Sequence, residues 1–122
     1  MRKIFLTFLS LFIIAPVFAG QYEDALRTGQ PVVLYMYTKT CNYCKNFNPI
    51  FDKVAQNYKN SCRFVKVDAE SPYGSLLVRD MVVGYVPFVS LTNANKKLMY
   101  TIEPSCLKDS ACFEGELKNF LK

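Results

Sequence analysis

Val32-Val33-Leu34-Tyr35-Met36-Tyr37-Thr38-Lys39-Thr40-Cys41-Asn42-Tyr43-Cys44 is the stretch that decides how this chain folds. Its first six residues are β-branched, aliphatic and aromatic without a break, as in a strand buried on both faces. Thr38-Lys39-Thr40 turns the chain. From Cys41 onward the period changes: Phe47, Ile50, Phe51, Val54, Ala55 and Tyr58 recur at three- and four-residue intervals and form one helical stripe. The two cysteines therefore stand where a strand hands over to a helix. Cys41 falls at the first turn, where unpaired backbone N–H groups and the positive end of the helix dipole favour a thiolate. Lys39 and Lys45 act in the same direction, and cysteines so placed have lowered pKa values. Cys41 is thus the candidate nucleophile and Cys44, one turn on, the candidate resolving thiol.

The rest of the composition narrows the chemistry. The chain has 122 residues, five cysteines and no histidine. Without histidine, a Ser-His-Asp triad, a Cys-His protease and any His-ligated metal site are excluded. The formal charge of +5 is spread among acids, a solvated basic surface with no nucleic-acid patch. Arg2 and Lys3, the apolar run Ile4–Phe18 and the small-x-small pattern Val17-Phe18-Ala19 read as a secretory signal peptide, residues 1–19, cleaved after Ala19. Retention of this run as an anchor is the alternative, although it is short for a membrane span. Residues 20–122 suit a single small domain.

Beyond the central stretch, Tyr22–Arg27 is a short helix ended by Thr28-Gly29-Gln30-Pro31. Pro49 interrupts the backbone donors of the long helix and is expected to kink it. Arg63–Asp68 is a second strand, and Ser71-Pro72 opens a helix running to about Met81. Phe88–Leu91 and Leu98–Ile102, joined by a turn at Thr92–Asn95, form an antiparallel hairpin, and Glu114–Leu121 is a final helix. The order predicts an α/β fold with a small mixed parallel and antiparallel sheet flanked by helices.

Cys106 and Cys112 bracket the loop before that last helix, and a structural disulfide pinning the loop is the favoured pairing. A second redox pair is the sharper alternative. For Cys41 and Cys44 the alternatives are a static disulfide, or half of a zinc site completed by Cys106 and Cys112. Cys62 reads as a buried free thiol, with an intermolecular bond as its other possible role.

The run Cys41-Asn42-Tyr43-Cys44-Lys45, with Pro49 five residues past the second cysteine, Asp68 closing a strand, Val86-Pro87 and the terminal Glu116-Leu117-Lys118-Asn119-Phe120-Leu121, resembles the thioredoxin family over nearly all of residues 20–122. The resemblance implies a thioredoxin fold lacking the family's N-terminal strand. It implies a cis peptide bond before Pro87, with the Val86 backbone facing the sulfurs to pair with a substrate strand. Asn42, Tyr43, Tyr85, Val86 and Pro87 become candidate substrate contacts. The implied activity is thiol–disulfide exchange on protein disulfides or dithiols, with no cofactor and no metal, by a monomer. Together with the signal peptide, it points to a bacterial periplasm and to a membrane electron donor or acceptor. The chain departs from the family at Thr40, where the family has Trp, at Asn42-Tyr43 between the cysteines, at Tyr35 in place of a buried Asp, and at Phe64 in place of its Lys partner. A reductase or interchange protein is the leading expectation. A disulfide-forming oxidase and a non-catalytic binding module with a static disulfide are the alternatives.

Overall fold

The computed structural model describes residues 20–122; the signal peptide expected at 1–19 lies outside the described residues. After a short helix α1 (Gln21–Leu26), the elements are β1 (Val32–Tyr37), α2 (Asn42–Asn57), β2 (Arg63–Asp68), α3 (Pro72–Met81), β3 (Phe88–Thr92), β4 (Met99–Thr101), a 3-10 helix (Pro104–Lys108) and α4 (Ser110–Leu121). The strands form one sheet in the order β2-β1-β3-β4. β1 pairs parallel with β2 and antiparallel with β3, which pairs antiparallel with β4.

The unbroken apolar run of β1 is explained by its central place. Alternate side chains point to opposite faces of a strand, and here both faces are covered. Val33 and Tyr35 pack with Phe47, Phe51 and Val54 of α2 and with Phe113 and Leu117 of α4. Val32, Leu34 and Met36 pack on the other face with Tyr22 and Ala25 of α1 and Leu77 of α3. Helix α3 starts where Ser71 Oγ accepts the Gly74 N–H at 2.9 Å and Pro72 takes the first turn, a position that needs no backbone donor. The chain runs helically through Pro49.

Helix α1 is shifted by one residue from the expected Tyr22–Arg27, and the bounds of β3, β4 and α4 also differ from the sequence expectation. Thr92 belongs to β3, because it pairs with both Val32 and Met99 and its Oγ1 lies 3.2 Å from the Tyr22 hydroxyl. The hairpin turn therefore begins at Asn93, and β4 shrinks to Met99–Thr101. Helix α4 begins at Ser110 rather than Glu114, since Asp109 Oδ1 accepts the Ala111 N–H at 3.0 Å and caps it. Cys112 is consequently inside a helix and Cys106 in the 3-10 helix, so the pair joins two helical segments and does not close an open loop. Cys62 is a free thiol, 1% exposed, under the Tyr58 backbone.

Candidate active site

Cys41 is the N-cap of α2, set there by the turn that follows β1. Its Sγ accepts the Cys44 backbone N–H at 3.0 Å. Such a donor, together with the helix dipole, stabilises negative charge on that sulfur when the pair is reduced. Cys41 and Cys44 are joined in a disulfide, with Cα atoms 5.2 Å apart. The two sulfurs are not equivalent: Cys41 is partly exposed, whereas Cys44 is 1% exposed. An incoming group can therefore meet Cys41 directly, while Cys44 faces the core.

Beneath the pair lies Tyr35, fully buried. Its hydroxyl donates to the Cys44 carbonyl at 3.1 Å and faces Asn48 Oδ1 at 2.7 Å. Burial, with smaller contributions from Tyr37 and Asp52, pushes the Tyr35 hydroxyl up, so it stays protonated and acts as a donor. Its ring meets Phe47 edge-on at 4.9 Å and Phe51 at 5.0 Å. Phe64 packs edge-on against Phe51 at 5.7 Å, and the Lys66 ammonium stands over the Tyr35 and Tyr37 rings. Tyr35 and Phe64, two of the positions that depart from the family, are thus filled by an aromatic cluster and one hydroxyl.

Tyr43, which stands between Cys41 and Cys44 in sequence, lines a groove of about 330 Å³. Tyr43, Tyr85, Val86 and Pro87 form one side of it, and Pro104, Ser105, Leu107 and Lys108 the other. The Val86–Pro87 bond is cis. Among the described residues, neither the N–H nor the C=O of Val86 has a hydrogen-bond partner, leaving both for an incoming strand. Tyr43 and Tyr85 are 63% and 44% exposed. Four of the five predicted contact residues are thereby brought together; Asn42 is exposed but does not line this groove. The opposite side was absent from the sequence expectation, and only the Pro104 break and Cys106 hinted at it. A larger hollow of about 1050 Å³, lined in part by Tyr37, Lys66, Asp68 and Tyr73, includes neither Tyr43 nor the Val86-Pro87 pair.

Cys106 and Cys112 are bonded to each other, with Cys106 buried and Cys112 exposed. Among the described residues no group of three or more His, Cys, Asp or Glu is placed to hold a metal ion.

A four-stranded mixed sheet, a Cys-x-x-Cys pair at the start of the helix after the central strand, and a cis proline lining the same groove as Tyr43 define a thioredoxin-fold redox protein. The thioredoxin family model matches residues 14–109, and the chain belongs to that family. Among relatives, thioredoxin of Borreliella burgdorferi is 38% identical over 48 residues, 39% of this chain and 41% of that protein. The chloroplastic thioredoxin-like protein HCF164 of Oryza sativa is 36% identical over 53 residues, 43% of this chain and 20% of that protein. The chain thus spans less than half the length of either relative. The crystal structure of thioredoxin from Trypanosoma brucei brucei superposes with a TM-score of 0.69 at 19% identity, covering 83% of each chain, and so speaks for the fold alone.

Proposed function

We propose that this protein exchanges thiols and disulfides on polypeptide substrates outside the cytoplasm, working as a reductase or interchange protein. The observation that carries the reading is the inequality of the two sulfurs: a partly exposed Cys41 receiving a backbone N–H, and a buried Cys44 one turn behind it. In the reduced protein the Cys41 thiolate attacks one sulfur of a substrate disulfide, and the other substrate sulfur leaves as a thiolate that takes up a proton. Cys44, once deprotonated, attacks Cys41 Sγ, expels the second substrate thiolate and closes the Cys41–Cys44 bond. Two electrons have passed to the substrate, so a dithiol donor must restore the pair; a membrane-bound donor suits an exported protein. The groove along Tyr43, Tyr85 and Val86 would hold the substrate segment meanwhile.

Export is supported by Arg2, Lys3, the run Ile4–Phe18 and the Val17-Phe18-Ala19 pattern. N-terminal sequencing of the chain recovered from an exporting bacterial host should begin at Gly20; recovery of intact Met1 in the membrane fraction would replace export with anchoring.

The exchange reading is tested by Cys44→Ser, which should trap substrates in mixed disulfides on Cys41; trapping none would overturn it. Equilibration of the wild-type pair in glutathione buffers decides the direction. A potential near about −270 mV supports reduction, whereas one near about −120 mV supports disulfide formation. The oxidase reading draws on one specific observation, the neutral Tyr35 hydroxyl beneath Cys44 where a reducing thioredoxin buries an acid.

A further inference from the structure

The Cys106–Cys112 bond takes no part in the exchange steps, yet it ties down one wall of the groove. That wall is the five-residue 3-10 helix Pro104–Lys108. It keeps few backbone bonds, among them the Cys106 N–H to Glu103 O at 2.9 Å and the Asp109 N–H to Cys106 O at 3.4 Å. Short helices of this kind are weakly self-supporting. Its position rests instead on buried Leu107, 3% exposed, and on the covalent link from Cys106 to the first turn of α4.

The link has a consequence for charge. Lys108 is the single charged residue lining the groove, and its ammonium lies 5.4 Å from the centre of the exposed Tyr43 ring, between the two redox cysteines in sequence. Among the described residues no carboxylate lies within ion-pair distance of Lys108. The adjacent acid, Asp109, uses its carboxylate to cap α4. Exposed Lys39 and Lys45, flanking Cys41 in sequence, add to the positive field. The groove thus combines an apolar lining of Tyr43, Tyr85, Pro87 and Leu107 with an unpaired cation at its rim.

We propose that Lys108 is a specificity-determining residue, held at the groove by the Cys106–Cys112 tie. The occupant is an extended polypeptide segment that places an apolar side chain beside its target cysteine and a carboxylate next to that side chain. This rests on the exchange reading above. The apolar residue is desolvated against Tyr85 and Leu107, and its neighbouring carboxylate pairs with the Lys108 ammonium.

The test uses the protein with the Cys41–Cys44 pair reduced and the Cys106–Cys112 bond intact, and two disulfide-bridged peptides alike except for Glu or Lys beside the same apolar residue. Wild type should reduce the Glu peptide about fivefold faster at low salt, the span of one exposed ion pair. The difference should shrink at about 0.5 M salt. Lys108→Glu should reverse the preference, and Cys106→Ala with Cys112→Ala should bring the ratio toward one. Equal rates for the two peptides on wild type, or an unchanged preference in Lys108→Glu, would overturn the proposal while leaving exchange intact. Reduction of neither peptide would overturn both. Should the double cysteine variant fail to fold, the exposed Lys108→Glu exchange decides alone.

Discussion

The Tyr35 hydroxyl and the Cys44 carbonyl are 3.1 Å apart, so the central strand holds the first turn of the redox helix through one buried hydrogen bond. A hydroxyl carries one proton, and Asn48 at 2.7 Å completes its surroundings. Tyr35→Phe leaves the ring packing in place and removes the hydroxyl's contacts with the Cys44 carbonyl and Asn48 Oδ1. It should cost about 1–2 kcal/mol of stability, because buried polar groups lose a partner, and urea unfolding of the oxidised protein would read it. An unchanged unfolding midpoint would show the bond to be energetically idle.

Val82 ends α3 with φ at +55° and is 85% exposed. A β-branched residue in the left-handed region is disfavoured, and this one sits in the loop leading to Tyr85 and Val86. Val82→Gly removes the clash and should raise stability by about 1 kcal/mol. Thermal unfolding provides the measurement. A fall in the melting temperature would mean that the exposed valine side chain makes a contact worth more than its backbone strain.

Gly74 lets α3 press against the end of β2. A Cβ built there would overlap the Asp68 carbonyl oxygen and lie 2.9 Å from Ala69 Cα, both backbone atoms that cannot swing aside. Gly74→Ala should therefore destabilise the protein by about 2 kcal/mol or more, as overpacking does, despite alanine's better helix propensity. Denaturant unfolding of the two forms side by side tests this, and an equal or higher midpoint for alanine would contradict it.

Burial pushes the Cys62 thiol up from 9.0 to about 11. The raised value means the folded state holds the proton more tightly than the unfolded chain does. Stability from this source is complete below about pH 9 and is lost as pH climbs through about 11. In Cys62→Ala that slope should be absent, so the stability difference between wild type and variant should narrow across this window. Native protein at pH 8 should resist alkylation at Cys62 until denaturant is added.

How much of this was legible beforehand follows from how local each feature is. The β1 run, the α2 stripe and the Ser71-Pro72 start are written in neighbouring residues and emerged with their bounds nearly intact. The start of α4 was missed because its cap, Asp109, precedes a segment, Ser110–Phe113, with no apolar periodicity of its own. The extent of β3 was misjudged for a similar reason: Thr92 reads as a turn residue until its pairing with Val32 and Met99 is known. At the site, Cys41 and Cys44 were evident from spacing, and Val86-Pro87 from the family resemblance. The groove's other wall, Pro104–Lys108, is made by bringing distant segments together, and nothing in its own sequence says what it faces. Tyr35 stands out in the sequence only as a departure from the family's buried Asp; that its hydroxyl meets Cys44 depends on how α2 lies across β1.

Buried Cys62 settles what becomes of an odd number of thiols. In the oxidised folded chain four cysteines are taken in two bonds and the fifth is closed off beneath Tyr58, so two oxidised copies offer each other no spare sulfur. The hazard is moved in time instead of being removed. Before α2 settles over Cys62, all five thiols are open to one another, and a wrong bond formed then excludes the native pairs. A wrong bond made at that stage is undone only by thiol–disulfide exchange, so burial of Cys62 removes one competing thiol from the reshuffling that leads to the two native bonds.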